Sequence, residues 1–254
     1  MTADIQQVPF VKQLAANDRP TRDNAVASLR TFLSGNRQLE ELELLKLWKG
    51  LFYWTSGMWM SDRPKTQQRL AVDLAALVEV LPDSNALPFL HAFWKTMARE
   101  WNGIDVLRMD KFLLLVRAYL NASFQHLQRR NWDPAIVQEY LGILSSTPVH
   151  PTDGKIANGL RYHVIDIYVD ELDKLDTPRS GEVPLLALLE PLRKLQLESP
   201  TKSVRLRVKA ALADERLLDW EGGDDGGGEK DRAKQSGDEA GEHSEEDEWN
   251  GLDT

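Results

Sequence analysis

The reading of one stretch decides the fold: LPFLHAFWKTMAREWNGIDVLRMDKFLLLVRAYLNASFQHL, Leu87 to Leu127. Its apolar residues recur every three or four positions, as on one face of a helix, and do not alternate as a half-buried strand requires. Asn102-Gly103 breaks the pattern with two residue types that turns favour. The segment therefore reads as two helices, Leu87–Trp101 and Asp105–Leu127, joined by a short turn. Its longest apolar run, Phe112 to Val116, lies between Lys111 and Arg117. That is far short of the roughly 18 residues a membrane helix needs.

The same period continues in both directions. Leu42, Leu45, Leu47, Leu51 and Phe52 follow Glu40-Glu41-Leu42-Glu43, an acidic start that suits the positive end of a helix dipole. Ser61-Asp62 are candidate caps for the next helix, with Pro64 just inside, where a missing N–H costs nothing. That helix runs through Leu70, Leu74, Leu77 and Val78 and stops before Pro82. Two shorter helices are expected at Ile5–Ala16 and Arg19–Leu33. Downstream lie Pro134–Leu144, Lys155–Leu172, Val183–Leu197 and Lys202–Leu218. Short connections predict an all-α fold of about ten helices in antiparallel pairs. Leu47-Trp48-Lys49 and Phe93-Trp94-Lys95 echo one another 46 residues apart. A period of that length suits a HEAT- or armadillo-like superhelical stack.

Charge divides the 254-residue chain in two. Residues 1–220 hold 27 acidic and 28 basic side chains, whereas residues 221–254 hold 13 acidic and three basic ones. The net charge of −9 is thus a near-neutral body with a −10 tail, and it describes no acidic globular surface. The body is long enough for a substantial core and reads as one helical repeat-like domain. The tail has eight glycines and only Trp249 and Leu252 as large apolar groups, so it is expected to be disordered. Cysteine is absent, which excludes disulfides, thiol nucleophiles and cysteine-ligated metals. The segment MTADIQQVPFVKQL has no basic region preceding an apolar one, so a soluble, intracellular protein is expected.

Catalytic patterns are missing. Gly154-Lys155 lacks the upstream glycine and following hydroxyl of a phosphate loop, and neither HExxH nor GxSxG occurs. His163 and Asp166, at i and i+3, have the spacing of a base and its orienting carboxylate, but a hydrogen-bonded structural histidine is the simpler reading. His91 and His126 lie on apolar helices and read as packing residues. Asp170, Glu171, Asp173 and Asp176 lack the spacing and turn glycine of a calcium loop, so they read as a solvated helix end. The expectation is a protein that is no enzyme, with no catalytic, cofactor-binding or metal-ligating residue.

Tryptophan and the basic side chains are more informative. Five of the eight tryptophans are Trp48, Trp54, Trp59, Trp94 and Trp101. Such large rings fill space between stacked helices. Trp54 and Trp59, near an expected loop, are the candidates for exposed partner anchors. Lys202, Arg205 and Lys209, with Arg216 further on, fall on one face of a single expected helix, and Lys95 and Arg99 make a shorter pair. Such stripes are candidate contacts for RNA phosphates, set against the commoner reading of a solvated face.

Several strings in the body resemble the ribosomal RNA processing protein 1 family. They are LWKGLFYW with MWMSDRPKTQQRLA (Leu47–Trp54 and Met58–Ala71), FLHAFWKTMAREWNGIDVLRMDKFLLLVRAYL (Phe89–Leu120), GLRYHVIDIYVDEL (Gly159–Leu172) and PFVKQLAANDRPTRDNAVASLRTFL (Pro9–Leu33). The resemblance covers roughly Pro9 to Leu218. It implies a eukaryotic nucleolar scaffold without catalytic residues, riding on pre-60S particles during maturation of the large-subunit and 5.8S rRNA precursors. The implied partners are pre-60S assembly factors and ribosomal proteins, with precursor rRNA through basic helix faces and no membrane. Two features depart from the family pattern. Trp54-Thr55-Ser56-Gly57 lengthens a junction, predicting a loop or kink there, and the chain ends acidic where many members end basic. The alternative reading is a cytoplasmic helical-repeat adaptor that binds only proteins.

Overall fold

The computed structural model describes Gln13 and residues 18–58, 64–177 and 179–221. Among these residues the chain forms eleven α-helices and two 3₁₀ turns, with no strand. The expected helix Ile5–Ala16, the caps Ser61-Asp62 and the acidic tail beyond Glu221 lie outside the described residues, apart from Gln13.

Local chemistry starts several of the helices. Helix α1 (Arg19–Leu33) is capped by Asp18, whose carboxylate accepts from the Thr21 N–H at 2.9 Å. Helix α2 (Glu41–Met58) carries Glu41 and Glu43 in its first turn. Helix α3 (Pro64–Ala75) tightens into a 3₁₀ segment, Ala76–Val80, before Pro82. Helix α4 (Asp83–Glu100) closes through a 3₁₀ turn at Trp101–Gly103. Asp105 then caps α5 (Val106–Arg129), accepting from the Arg108 N–H at 3.1 Å. Asp133 caps α6 (Pro134–Ser146), accepting from the N–H groups of Ala135 and Ile136. After α7 (Asn158–Asp173) come four shorter helices, α8 (Leu185–Leu188), α9 (Glu190–Glu198), α10 (Lys202–Leu212) and α11 (Glu215–Glu221).

Several expectations change. Val183–Leu197 is two helices, α8 and α9, because Pro191 has no N–H to continue the ladder and opens a new helix after Leu189. Helix α2 runs unbroken through Trp54–Gly57, so the longer junction is absorbed as helix and not as a loop or kink. Helix α4 begins four residues before the expected start and carries Pro88 inside. Lys202–Leu218 is two helices, because the Asp214 carboxylate takes the Arg216 N–H at 3.0 Å and opens a new helix there. Arg216 therefore leaves the stripe that Lys202, Arg205 and Lys209 began.

Several of the most extensive helix contacts join alternate helices. Helix α2 packs on α4, which meets α6, while α3 packs on α5, α5 on α7 and α7 on α10; α9 and α10 form a tight consecutive pair. Tertiary hydrogen bonds follow the same spacing: Trp48 to Phe89, Tyr119 to Leu74, His163 to Leu113 and Arg216 to Asp170 link residues 41, 45, 50 and 46 apart. The 46 residues between Trp48 and Trp94 fall within that range, and the two rings sit on neighbouring α2 and α4, both fully buried. The core is aromatic where these ranks meet. Phe93 stacks on Tyr119 with ring centres 4.2 Å apart, and Trp48 lies 5.0 Å from Phe89 and from Tyr119. Further along, Phe124 meets Tyr168 edge-on at 5.2 Å.

Candidate interaction surfaces

The anticipated site residues do not converge. Trp59 lies outside the described residues, and so does the side chain of Trp54, whose backbone belongs to α2. Trp48, Trp94 and Trp101 are buried, so these three rings are core. Lys95 is tied to Glu41 at 2.6 Å, and Arg99 reaches Glu100 at 2.6 Å. The Tyr53 hydroxyl donates to the other oxygen of Glu100 at 2.9 Å. Arg205 donates to the carbonyls of Ser199 and Pro200, at 2.7 and 3.0 Å, closing the turn between α9 and α10.

Lys202 and Lys209 differ from these three. Val204 and Val208 bury one face of α10, and Lys202, Leu206 and Lys209 project from the opposite one. Leu206 is 57 % exposed between the two ammonium groups. Arg207, on the flank toward α7, is taken up by Asp166 at 3.0 Å and by the face of the Tyr162 ring. The outer face of α10 is therefore apolar at its centre and basic at both ends.

The acidic run at the end of α7 is no solvated helix end. Glu171 is buried and accepts from Arg117 and from Lys174. Asp170 joins Arg117 at 2.8 Å to Arg216 at 2.9 Å, and Asp173 takes Arg179 at 2.6 Å. Asp176 accepts from the Trp220 indole at 2.7 Å, with the Arg179 guanidinium over that ring. Burial opposes ionisation of Asp170, but Arg216 and Arg117 outweigh it and hold the carboxyl below its usual range. These four acids lock α5, α7 and α11 together. His91, His126 and His163 are also structural. His163 binds the Leu113 carbonyl at 2.7 Å, and burial lowers the basicity of His91, His126 and His163.

One concavity had no counterpart in the sequence reading. A groove of about 530 Å³ lies between the α1–α2 loop, α4 and α6. Its buried floor includes Leu39, Leu87 and Ile143, and Glu40, Glu41 and Glu139 stand at its rim. Asn85, fully buried, shapes one wall: its amide oxygen accepts from the Leu39 N–H at 2.9 Å and its amide nitrogen donates to the Arg37 carbonyl at 2.8 Å. Gly142 lines the groove from the middle of α6, and a Cβ added there would meet nothing within 4 Å. Glycine inside a helix costs about 1 kcal/mol relative to alanine. The only sequence signal was this glycine inside an otherwise strong helical pattern, Tyr140-Leu141-Gly142-Ile143-Leu144.

Fold and surfaces together define an all-helical protein of alternately packed helices, whose features lie on its outer faces. The family described as nucleolar protein Nop52 matches residues 5–252. Similar proteins include ribosomal RNA processing protein 1 homolog B of Homo sapiens, 41 % identical over 66 % of this chain and 23 % of its own length. Homolog A of Homo sapiens is 36 % identical over 74 % of this chain and 41 % of its length. The Drosophila melanogaster homolog is 32 % identical over 66 % and 25 %. The chain belongs to the nucleolar Nop52 family. It spans less than half the length of these curated relatives.

Proposed function

We propose that this chain is a non-enzymatic scaffold of nucleolar ribosome biogenesis, required for processing the large-subunit and 5.8S precursor rRNAs on pre-60S particles. The family match over residues 5–252 carries the reading. The paired ionisable groups support it, since Arg117, Asp170, Glu171 and Arg216 spend their charge on holding helices together. Protein partners, assembly factors and ribosomal proteins, engage Trp54 and Trp59, and the apolar first turn of α5 offers them a further contact. Val106 and Leu107 there are each 88 % exposed, and Phe52 of α2 stacks on Phe112 of α5 at the same end. Precursor rRNA meets the outer face of α10 through Lys202 and Lys209. Lys95 and Arg99 on α4, and Arg205 on α10, are weaker candidates for RNA contact, because each already has an internal partner.

Depletion of the protein followed by pulse-chase labelling tests the reading: large-subunit precursors should accumulate while small-subunit rRNA matures normally. Unchanged precursor levels would count against it.

A further inference from the structure

We propose that the groove between the α1–α2 loop, α4 and α6 is a docking site for a protein segment in which lysine or arginine flanks an apolar side chain. The inference is independent of the role in rRNA processing. Three separate elements build the walls, with Asn85 pinning the loop that supplies Gln38, Leu39 and Glu40. The floor, built from Leu39, Leu87 and Ile143, is apolar and accepts an apolar side chain. Glu40 and Glu139 have no ion-pair partner among the described residues, and Glu41 is matched by Lys95. The groove therefore carries net negative charge, and burial favours the uncharged form of the His91 ring. Carboxylates at the rim repel phosphates, which disfavours RNA, and they complement a basic peptide.

Gly142 is the second, independent observation. Nothing inside the fold requires a glycine there, because the space over its Cα is open. What its missing side chain does is open the groove above its floor on the α6 side. An occupant that reaches that floor accounts for a helix-weakening residue in mid-helix.

The full chain is titrated with a fluorescent peptide of alternating lysine and leucine pairs and with its glutamate–leucine counterpart, monitored by anisotropy. The lysine peptide should bind and its counterpart should not. Glu139→Lys and Gly142→Leu should each weaken binding roughly tenfold or more, with the helical circular dichroism unchanged. Gly142→Leu alters no charge, so its effect isolates the groove from the acidic residues beyond Glu221. Equal affinity of the two variants and the parent would overturn the proposal. In cells, a photo-crosslinking residue at Ser146 should capture segments with basic residues around an apolar one. Capture of RNA alone, or of a second copy of this chain alone, would also overturn it.

Discussion

Asn85 shows how much one side chain decides. Its amide closes a buried bracket between the Leu39 N–H and the Arg37 carbonyl, which bridges α4 to the loop before α2. Asn85→Ala would leave both backbone groups without a partner, so urea denaturation should show a loss of about 2–3 kcal/mol. Arg161 plays a similar part in the loop between α6 and α7. It is buried and donates to the carbonyls of His150, Asp153 and Ile156, and burial lowers its pKa. Lysine cannot reproduce that fork, so Arg161→Lys should also destabilise the protein measurably. Two glycines make an opposed pair. At Gly142 a Cβ meets nothing, and Gly142→Ala should raise stability by about 0.5–1 kcal/mol in the same assay. At Gly159 a Cβ would stand 3.0 Å from Nε1 of the buried Trp101, so Gly159→Ala should lower stability.

At the scale of the element, α11 is held by charge as much as by burial. Asp214 is depressed chiefly by its hydrogen bond to Arg216. Asp176, despite the opposing effect of burial, is depressed by the N–H of Ser180 and the indole of Trp220. A carboxyl whose folded pKa is depressed contributes stability above its unfolded value, near 4, and loses it as the pH falls through the folded value. Helix α11 should therefore loosen first in acid, below about pH 4, and the change should appear as accelerated hydrogen exchange in residues 215–221 and altered Trp220 fluorescence. No shift before the global transition would reject the clamp. The same elements show what was legible in the sequence. Periodicity and the Asn102-Gly103 break located most helices. Helix α4 starts at Asp83, directly after Pro82 and four residues ahead of the expected Leu87, and runs through Pro88. The break at Asp214 was hidden by an apolar period that passed through it. The acidic run of α7 read as solvated because its partners, Arg117 and Arg216, lie 46 to 54 residues away. Nothing local announced the groove beyond Gly142, since its walls meet only in the fold.

At the scale of the molecule, hydrogen bonds spanning 41 to 46 residues recur among the described residues and tie the helices of the body together. Three histidines are set into them with basicity lowered by burial. A base with a depressed folded pKa is charged more readily when unfolded. Stability should thus be full above the unfolded value near 6.5 and decline as pH drops below it, which thermal melts between pH 5.5 and 7.5 would reveal. Lys202 and Lys209 stand clear on the outer face of α10, and the double change to glutamate should weaken RNA binding and flatten its salt dependence without altering the fold. The central claim is that this helical body works on maturing large-subunit particles. Affinity purification of the tagged protein from nucleoli, with sequencing of the RNA that comes with it, tests this most directly. The account predicts enrichment of large-subunit precursor rRNA together with its assembly factors. Recovery of the protein with neither would contradict it.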